Sequence, residues 1–286
     1  MSRYRISPFR ELGLLISEGF WVLVRDTKNI IISLLFPVVA ACITVWIAGK
    51  QMYLHFEGTQ AACFILVCAA IWGGLFNSIQ SVVKERDIVK REFVSGALRL
   101  ECYVLSRAFL QLLLCIVQSV ALCLSFYGVA IVYGHTLPEQ GLIFGSAMAE
   151  YYLSILLVMY SADMFGLMIS CMVRSEQLAS QVSPYILIAQ LLFSGLLFPM
   201  EGASEIISAF MFSRWGMEAL GSISNLNEFP MKIAYENGYD ITFDPIDYFT
   251  YTADHLMIVW LVLLIFVIGA ILAAIIGLYS VRKDSR

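Results

Sequence analysis

The sequence has little charge, and this sets the class of protein. Lys and Arg number 18 and Asp and Glu 22, so charged residues make up 14% of 286, against about 25% in soluble domains. Hydrophobic residues make up 60%, more than a soluble globule of this size can bury. These values exclude a water-soluble enzyme and a disordered chain, and a net charge of −4 gives no reason to expect nucleic-acid binding. The chain is predicted to reside in a membrane.

Motifs for metal, disulfide and nucleotide chemistry are also missing. The three histidines fall one in each outer connection (His55, His135 and His255), and the seven cysteines form neither a CxxC pair nor a disulfide framework. No GxxxxGK[ST] loop is present, and the single Gly-Lys pair, Gly49-Lys50, is followed by Gln51. We therefore expect no metal site, no cofactor bound by this chain and no ATP hydrolysis by it.

Long apolar stretches predict an all-α membrane protein. A hydrocarbon core about 30 Å thick requires about 20 apolar residues of helix. Six segments satisfy this requirement: 30–49, 60–83, 108–133, 142–172, 182–200 and 256–280. The transmembrane region 30–200 then carries the first five helices, and 256–286 holds the sixth with a short tail.

The basic residues predict the orientation of these helices. Fifteen of the 18 fall in the N-terminal stretch, the 84–107 connection, the connection near Arg174 and the tail. Because cytoplasmic loops are enriched in Lys and Arg, both termini and the 84–107 loop are predicted to be cytosolic. The protein is thus expected to be a multi-pass protein of the cell (plasma) membrane.

The N-terminal segment 1–29 is predicted to form an amphipathic helix on the membrane surface. Within residues 7–28 apolar side chains recur at steps of three and four, with charges opposite them. Such a helix lies on the inner leaflet instead of crossing it. Two roles stay open: a membrane anchor, or a helix that contacts a cytosolic partner.

The cytosolic loop 84–107 has more structure than a simple connection needs. Asp87 and Arg91 are spaced for an i,i+4 pair, and an apolar stripe continues through the charges. Ser95 and Gly96 break this helix, and a second short helix then leads into the third span. These features favour a loop that a binding partner holds. The alternative is surface charge that only follows the positive-inside rule.

The last outer loop, 201–255, is acidic. Its start, GASEIISAFMF, is apolar enough for a short re-entrant or interfacial helix, and turn signals follow near 237–245. Nine acids face two basic residues in this loop: Glu201, Glu205, Glu218, Glu228, Glu236, Asp240, Asp244, Asp247 and Asp254 against Arg214 and Lys232. A solvated cap and a cation-attracting surface are the two interpretations.

Two motifs give the sequence a resemblance to a known family. After the second span, Glu85-Arg86, Arg91-Glu92, Gly96 and Tyr103 follow one another at the spacing of the membrane half of type-2 ABC exporters, especially the G-like (White-type) group. A second run, after the fifth span, is similar to that family's segment following its re-entrant helices. It comprises Ser213, Trp215, Gly216, Glu218, Ala219 and Leu220. Ala97 and Leu98 replace an aromatic that commonly follows the loop glycine, and the outer loop lacks cysteines, which favours a bacterial origin.

The resemblance implies a permease subunit without an ATPase of its own. Two six-span protomers, identical or different, would form the pathway, and a cytosolic ATP-binding cassette ATPase would bind ATP and Mg and drive export. The contacts with that ATPase are expected at Glu85, Arg86, Arg91, Glu92, Gly96 and Tyr103. The expected substrate is hydrophobic or amphipathic, lipid- or drug-like.

Residues for a substrate pathway are assigned from helix faces. On the second span Leu66, Ala70, Gly73 and Asn77 share one face, and on the fifth Gln190, Phe193 and Leu197 do so. Asp163, inside the fourth span, either bonds a neighbouring helix or serves a substrate or proton path. The alternative is ordinary helix packing, which is the more common cause of such stripes.

Two other functions compete with transport. A non-transporting scaffold or receptor would use the acidic outer loop as its working surface. A membrane-embedded lipid-modifying enzyme would need titratable groups at one depth, and Asp163 and Glu150 lie about 20 Å apart along their helix.

Overall fold

The computed structural model describes residues 6–49, 52–135, 137–196, 202–229 and 246–280, and these are helical with short connections. The bounds in chain order are α1 Pro8–Arg25, α2 Thr27–Ala48, α3 Phe56–Ser78, α4 Ser81–Ser95, α5 Leu100–Val132, α6 Ala147–Met172, α7 Glu176–Leu192, α8 Ala203–Ala209, α9 Phe212–Ile223 and α10 Ala253–Leu278. No strand occurs in these ranges. The all-α prediction is confirmed for this part of the chain.

Five stretches of helix within the described ranges are long and apolar enough to cross a membrane. They are Thr27–Ala48, Phe56–Ser95 (α3 with α4), Leu100–Val132, Ala147–Met172 and Ala253–Leu278. The predicted span 182–200 differs from α7, which begins six residues earlier and whose 17 residues extend only about 26 Å. Residues 197–200 lie outside the described residues, so a sixth span stays a prediction.

Two other predicted boundaries differ from the structure. The short returning helix and the span 108–133 form one helix, α5, because residues 100–132 contain no proline and only one glycine, Gly128, near the end. The span predicted at 142–172 begins only at Ala147. There Glu150 draws residues 142–144 into a loop by accepting hydrogen bonds from the Leu142 and Phe144 backbone N–H groups at 2.9 Å each, and from that of Ile143.

Helix α6 lies at the centre of the bundle and packs against α3, α5, α9 and α10. Two glycines permit its close approach to α3. A Cβ atom on Gly166 would lie 2.8 Å from the Leu75 carbonyl oxygen, and one on Gly74 would overlap the Met159 carbonyl oxygen. Small residues at helix crossings serve this purpose in membranes, where helices associate through packing.

The re-entrant segment predicted after residue 201 consists of two helices. Short α8 keeps Ile206 and Phe210 exposed, at 67% and 71%, whereas most of α9 is buried against α3, α6 and α10. The α9 helix thus fills one end of the core.

Candidate functional site

A helical hairpin forms the first candidate site. Helix α4 ends at Gly96, whose φ of 75° is left-handed, a conformation that glycine adopts without steric cost. The Gly96 N–H bonds the Phe93 carbonyl and the Ala97 N–H bonds the Glu92 carbonyl, both at 2.9 Å, which closes the helix end. Gly96 therefore makes the turn that the Ser-Gly pair predicts.

Glu85 and Tyr103 join the two arms of this hairpin. The Tyr103 hydroxyl donates to Glu85 Oε2 at 2.8 Å, and Arg107 forms an ion pair with the same oxygen. The Arg107 guanidinium also lies 5.2 Å from the Tyr103 ring centroid, within the range of a cation–π contact. Sequence reasoning counted Arg107 only as a positive charge and missed this contact.

Arg86 fastens the hairpin to the transmembrane core. It is 6% exposed, and its guanidinium donates to the Cys171 carbonyl at 2.9 Å and to Ser280 Oγ at 3.4 Å. Cys171 is the penultimate residue of α6, where carbonyls lack intrahelical partners and a positive charge is favoured. A single cation thus connects α4 with the ends of α6 and α10.

Arg91 and Glu92 occupy a different place from these internal residues. Both are exposed on the last turn of α4. Near them Ile88 and Val94 expose 58% and 67% of their surface. The predicted coupling residues therefore form two groups: Glu85, Arg86 and Tyr103 hold the hairpin together, and Arg91 and Glu92 face outward from it.

The N-terminal helix is tied to this hairpin by a contact that sequence reasoning missed. Glu11 Oε1 accepts the Arg99 backbone N–H at 2.7 Å, and its other oxygen lies 3.7 Å from Arg99 Nε. The guanidinium also bonds the Ile6 carbonyl at 3.3 Å. The only signal in the sequence was an acid on the polar face of α1. Phe9 and Trp21 stay 89% and 61% exposed, so α1 keeps apolar side chains that the described part of the chain does not cover.

The pathway residues predicted on α3 differ in burial and in contacts. Leu66 and Ala70 are fully buried, and Gly73 is buried with ordinary contacts to Met159 and Phe36. Asn77, half-buried, exchanges amide hydrogen bonds of 2.7 and 3.1 Å with Gln118 of α5. The face that Leu66 and Ala70 share is packed inside the protomer.

The residues predicted on the fifth span lie at the end of α7. Gln190 is 4% exposed; its side-chain oxygen accepts the Ser213 N–H at 3.0 Å, and its carbonyl accepts the Ser213 hydroxyl at 2.6 Å. Phe193 is half-buried just after the helix. Leu197 lies outside the described residues. Gln190 thus joins α7 to α9.

Asp163 is fully buried and bonded to neighbouring helices. Its Oδ2 accepts a hydrogen bond from the Cys115 thiol at 3.2 Å, and its backbone carbonyl accepts one from Ser78. Its Oδ1 has no hydrogen-bond partner among the described residues. Of the two alternatives for this residue, bonding to a neighbouring helix is the one that the contacts match.

A cavity of about 550 Å³ lies between α1, α2, α3, the start of α4 and α5. Gly73 and Asn77 are on its wall, with Arg107, Gln111 and Gln118 opposite. Leu66, Ala70, Asp163, Gln190 and Phe193, the other predicted pathway residues that the structure describes, do not line it. The cavity is formed by helices of this chain alone, unlike the pathway expected between two protomers.

Arg214 and Glu218 form a charged pair on α9, outside the candidate spans. The guanidinium lies 3.8 Å from Glu218 Oε1 and 4.5 Å from the Tyr248 ring centroid. Burial raises the pKa of the Glu218 carboxyl to about 7, while the positive charge of Arg214 opposes that rise. Through Arg214 this pair connects α9 to the 246–250 segment.

The described residues hold no group of three or more His, Cys, Asp or Glu side chains arranged for a metal ion.

Comparison with known proteins gives two matches. A family model for the ABC-2 type transporter matches residues 10–224. An ABC transporter ATP-binding/permease protein of Mycobacterium tuberculosis is 22% identical over 234 residues, covering 77% of this chain and 26% of the relative. The chain thus spans about a quarter of the length of that relative. The family match covers α1 to α9, including both the hairpin and the cavity.

Proposed function

Because the chain belongs to the ABC-2 type transporter family, the membrane component of ABC transporters, we propose that it couples ATP hydrolysis on a cytosolic ATP-binding cassette ATPase to export. The α4–α5 hairpin is the proposed contact with that ATPase. The observation that carries this proposal is the division of the hairpin into exposed charges at its tip and, at its base, a buried Arg86 and a half-buried Glu85–Tyr103 bond.

The bonds at the base of the hairpin give it the stiffness that coupling needs. Arg86 holds α4 to the ends of α6 and α10, and Glu85 holds it to α5. A displacement of the tip is then passed to the bundle because packed helices move as rigid bodies instead of deforming continuously. Through the Glu11–Arg99 contact, α1 moves with the hairpin.

The partners follow from the same proposal. ATP and Mg bind the ATPase, and this chain holds no cofactor. A second permease protomer, identical or different, completes the pathway, and both termini and the hairpin face the cytosol of a bacterial cell. In the relative from Mycobacterium tuberculosis the printed name joins ATP-binding and permease functions in one protein, which supports such a pairing.

The proposed substrate is hydrophobic or amphipathic. Asn77, Gln118 and Gln190 satisfy one another or neighbouring groups, so these positions leave few polar groups for a strongly hydrated solute. The sixth span and a pathway between two protomers belong to this proposal.

Charge reversal at the hairpin tip tests coupling. The chain is co-purified with a candidate ATPase, and ATPase stimulation is compared between wild type, Arg91→Glu and Glu92→Lys. Charged contacts at interfaces contribute about 1.5 kcal/mol or more, so stimulation at limiting ATPase is expected to fall about tenfold. The control is Glu57→Lys, an exposed reversal at the opposite end of α3, which is expected to change nothing. Wild-type stimulation in both tip variants would contradict the assignment of the hairpin.

A further inference from the structure

The cavity between α1, α2, α3, α4 and α5 has the size and polarity of a ligand site. Its volume of about 550 Å³ falls within the range of about 300–1,000 Å³ that small-molecule sites occupy. Along α2, and along α4 continued by α3, the lining side chains change from charged to amide to apolar in the same direction. The cavity is therefore amphipathic along its length.

On α5 the lining residues are Arg107, Leu110, Gln111, Leu114 and, one turn further, the amide Gln118. On the opposite wall Lys84 of α4 is followed, deeper in the cavity, by Asn77 and then Trp72 of α3. From Arg107 to Gln118 the helix rises about 17 Å. This polarity matches a phospholipid that has its headgroup at the α1 end and its chains beside Trp72.

The charged end of the cavity is balanced. Lys84 is exposed, and Arg107 shares its charge with Glu85. The carboxylate of Asp26 caps α2 by accepting the Asn29 N–H at 3.4 Å. A headgroup carrying one negative and one positive charge would find a partner for each, whereas an anionic headgroup would face Asp26 without compensation.

One buried acceptor lacks a donor. Gln111 donates to the Asn77 carbonyl at 3.3 Å, but Gln111 Oε1 is buried without a hydrogen-bond partner among the described residues. A buried acceptor without a donor is destabilising. A primary ammonium or a hydroxyl would satisfy it, and a quaternary ammonium, which has no N–H, would not.

The cavity opens on an apolar surface. Ile32, Trp72 and Phe76 line it and are 66%, 40% and 56% exposed. Helix α1, which forms another wall, has the amphipathic pattern of a helix at the headgroup level. A lipid of the leaflet that contains α1 can therefore enter from the side.

We propose that this cavity binds one phospholipid with a phosphate and a primary ammonium, as in phosphatidylethanolamine, from the leaflet in which α1 lies. The phosphate lies between Lys84 and Arg107, the ammonium donates to Gln111 Oε1 or Asp26, and an acyl chain packs against Leu114 and Trp72. This site is separate from the pathway between protomers, and binding needs no ATPase.

Lipid retention tests the proposal. The full chain is reconstituted with equal amounts of phosphatidylethanolamine, phosphatidylcholine and phosphatidylglycerol of identical chains, extracted in mild detergent and weighed by native mass spectrometry. We expect one phosphatidylethanolamine per chain, retained at least about tenfold over the other two, which corresponds to about 1.4 kcal/mol. Equal retention of the three lipids, or retention of none, would overturn the proposal.

Matched variants locate the lipid. Leu114→Trp fills the apolar end and should abolish retention, while Leu124→Trp, at an exposed position of the same helix away from the cavity, should not. Gln111→Leu should remove the preference for phosphatidylethanolamine over phosphatidylcholine. Lys84→Met should weaken retention of all three phospholipids, and its control is Lys28→Met, at an exposed position. If Leu114→Trp does not fold, the test rests on the ratio of retained phosphatidylethanolamine to phosphatidylcholine in Gln111→Leu. A wild-type ratio in Gln111→Leu, or full retention of the lipid in a folded Leu114→Trp, refutes the site. Either result leaves the proposed function standing, because no ATPase takes part in the experiment.

Discussion

The contact between Glu11 and Arg99 predicts that one carboxylate keeps the N-terminal helix on the hairpin. Glu11 accepts the Arg99 backbone N–H at 2.7 Å, a charge-assisted bond at the start of α5, where that N–H has no intrahelical acceptor. Removing it in Glu11→Ala is expected to cost about 2 kcal/mol. The ion pair adds little, because the Arg99 side chain is 29% exposed and such pairs are screened.

A buried thiol reports on this contact. Cys102 is 7% exposed, and its Sγ bonds the Pro8 carbonyl of α1 at 3.7 Å, so it becomes reachable only when α1 lifts away. A loss of about 2 kcal/mol in the closed state raises the open population, and thus maleimide labelling of Cys102, about 30-fold. Glu11→Gln keeps an uncharged acceptor and should raise labelling only about fivefold.

Labelling is quantified by mass spectrometry of the Cys102 peptide, with the protein in membranes. Glu18→Ala provides the control, since it removes an exposed acid from the same helix and should leave the rate unchanged. If Glu11→Ala labels at the wild-type rate, the carboxylate does not hold α1 to the hairpin, and the account of α1 as part of the coupling unit is wrong.

Three further predictions concern stability. Gly74→Ala should destabilise the fold by about 3 kcal/mol through overpacking against the α6 backbone. Gly73→Ala, which meets only ordinary contacts, should melt near the wild-type temperature. Equal melting temperatures for the two variants would contradict the close crossing of α3 and α6. The pKa of Glu218 is raised from 4.5 to about 7, so between pH 4.5 and 7 the folded state keeps a proton that the unfolded state has lost. The free energy of unfolding should therefore fall by up to about 3 kcal/mol as pH rises from 4.5 to 7, and it should stay level above pH 7. Glu218→Gln should remove that fall in thermal unfolding, and an unchanged pH profile would refute it. Arg86→Met should lower the free energy of unfolding by about 2 kcal/mol because the carbonyl at the end of α6 loses its donor. Arg91→Met, at an exposed site, should leave that free energy unchanged. The same loss in both variants would argue against a stabilising bond between Arg86 and the Cys171 carbonyl.

Local signals in the sequence were sufficient for part of this fold. Apolar length predicted membrane helices, and the Ser95-Gly96 pair predicted the end of α4. The division of residues 100–133 into two helices was wrong because amphipathic pattern changes along α5 while its backbone has no breaker before Gly128. A change of environment need not interrupt a helix.

The contacts that build the site could not be read from spacing. Glu11 and Arg99 are 88 residues apart, and Arg86 and Ser280 are 194 apart, so only the packing of the helices brings them together. Asn77 was placed on a shared face of the second span, but its pairing with Gln118 depends on how α3 faces α5. Sequence pattern gives the face of one helix and not its neighbour.

Photo-crosslinking at the hairpin tip tests the central claim most directly. A photoreactive amino acid replaces Arg91 in cells that also make the candidate ATPase, and a second variant carries it at Phe144, an exposed residue in the connection before α6. The account predicts a cross-link to the ATPase from position 91 and none from position 144. A cross-link from neither position, or tagging of position 91 by impermeant reagents added outside intact cells, would contradict it.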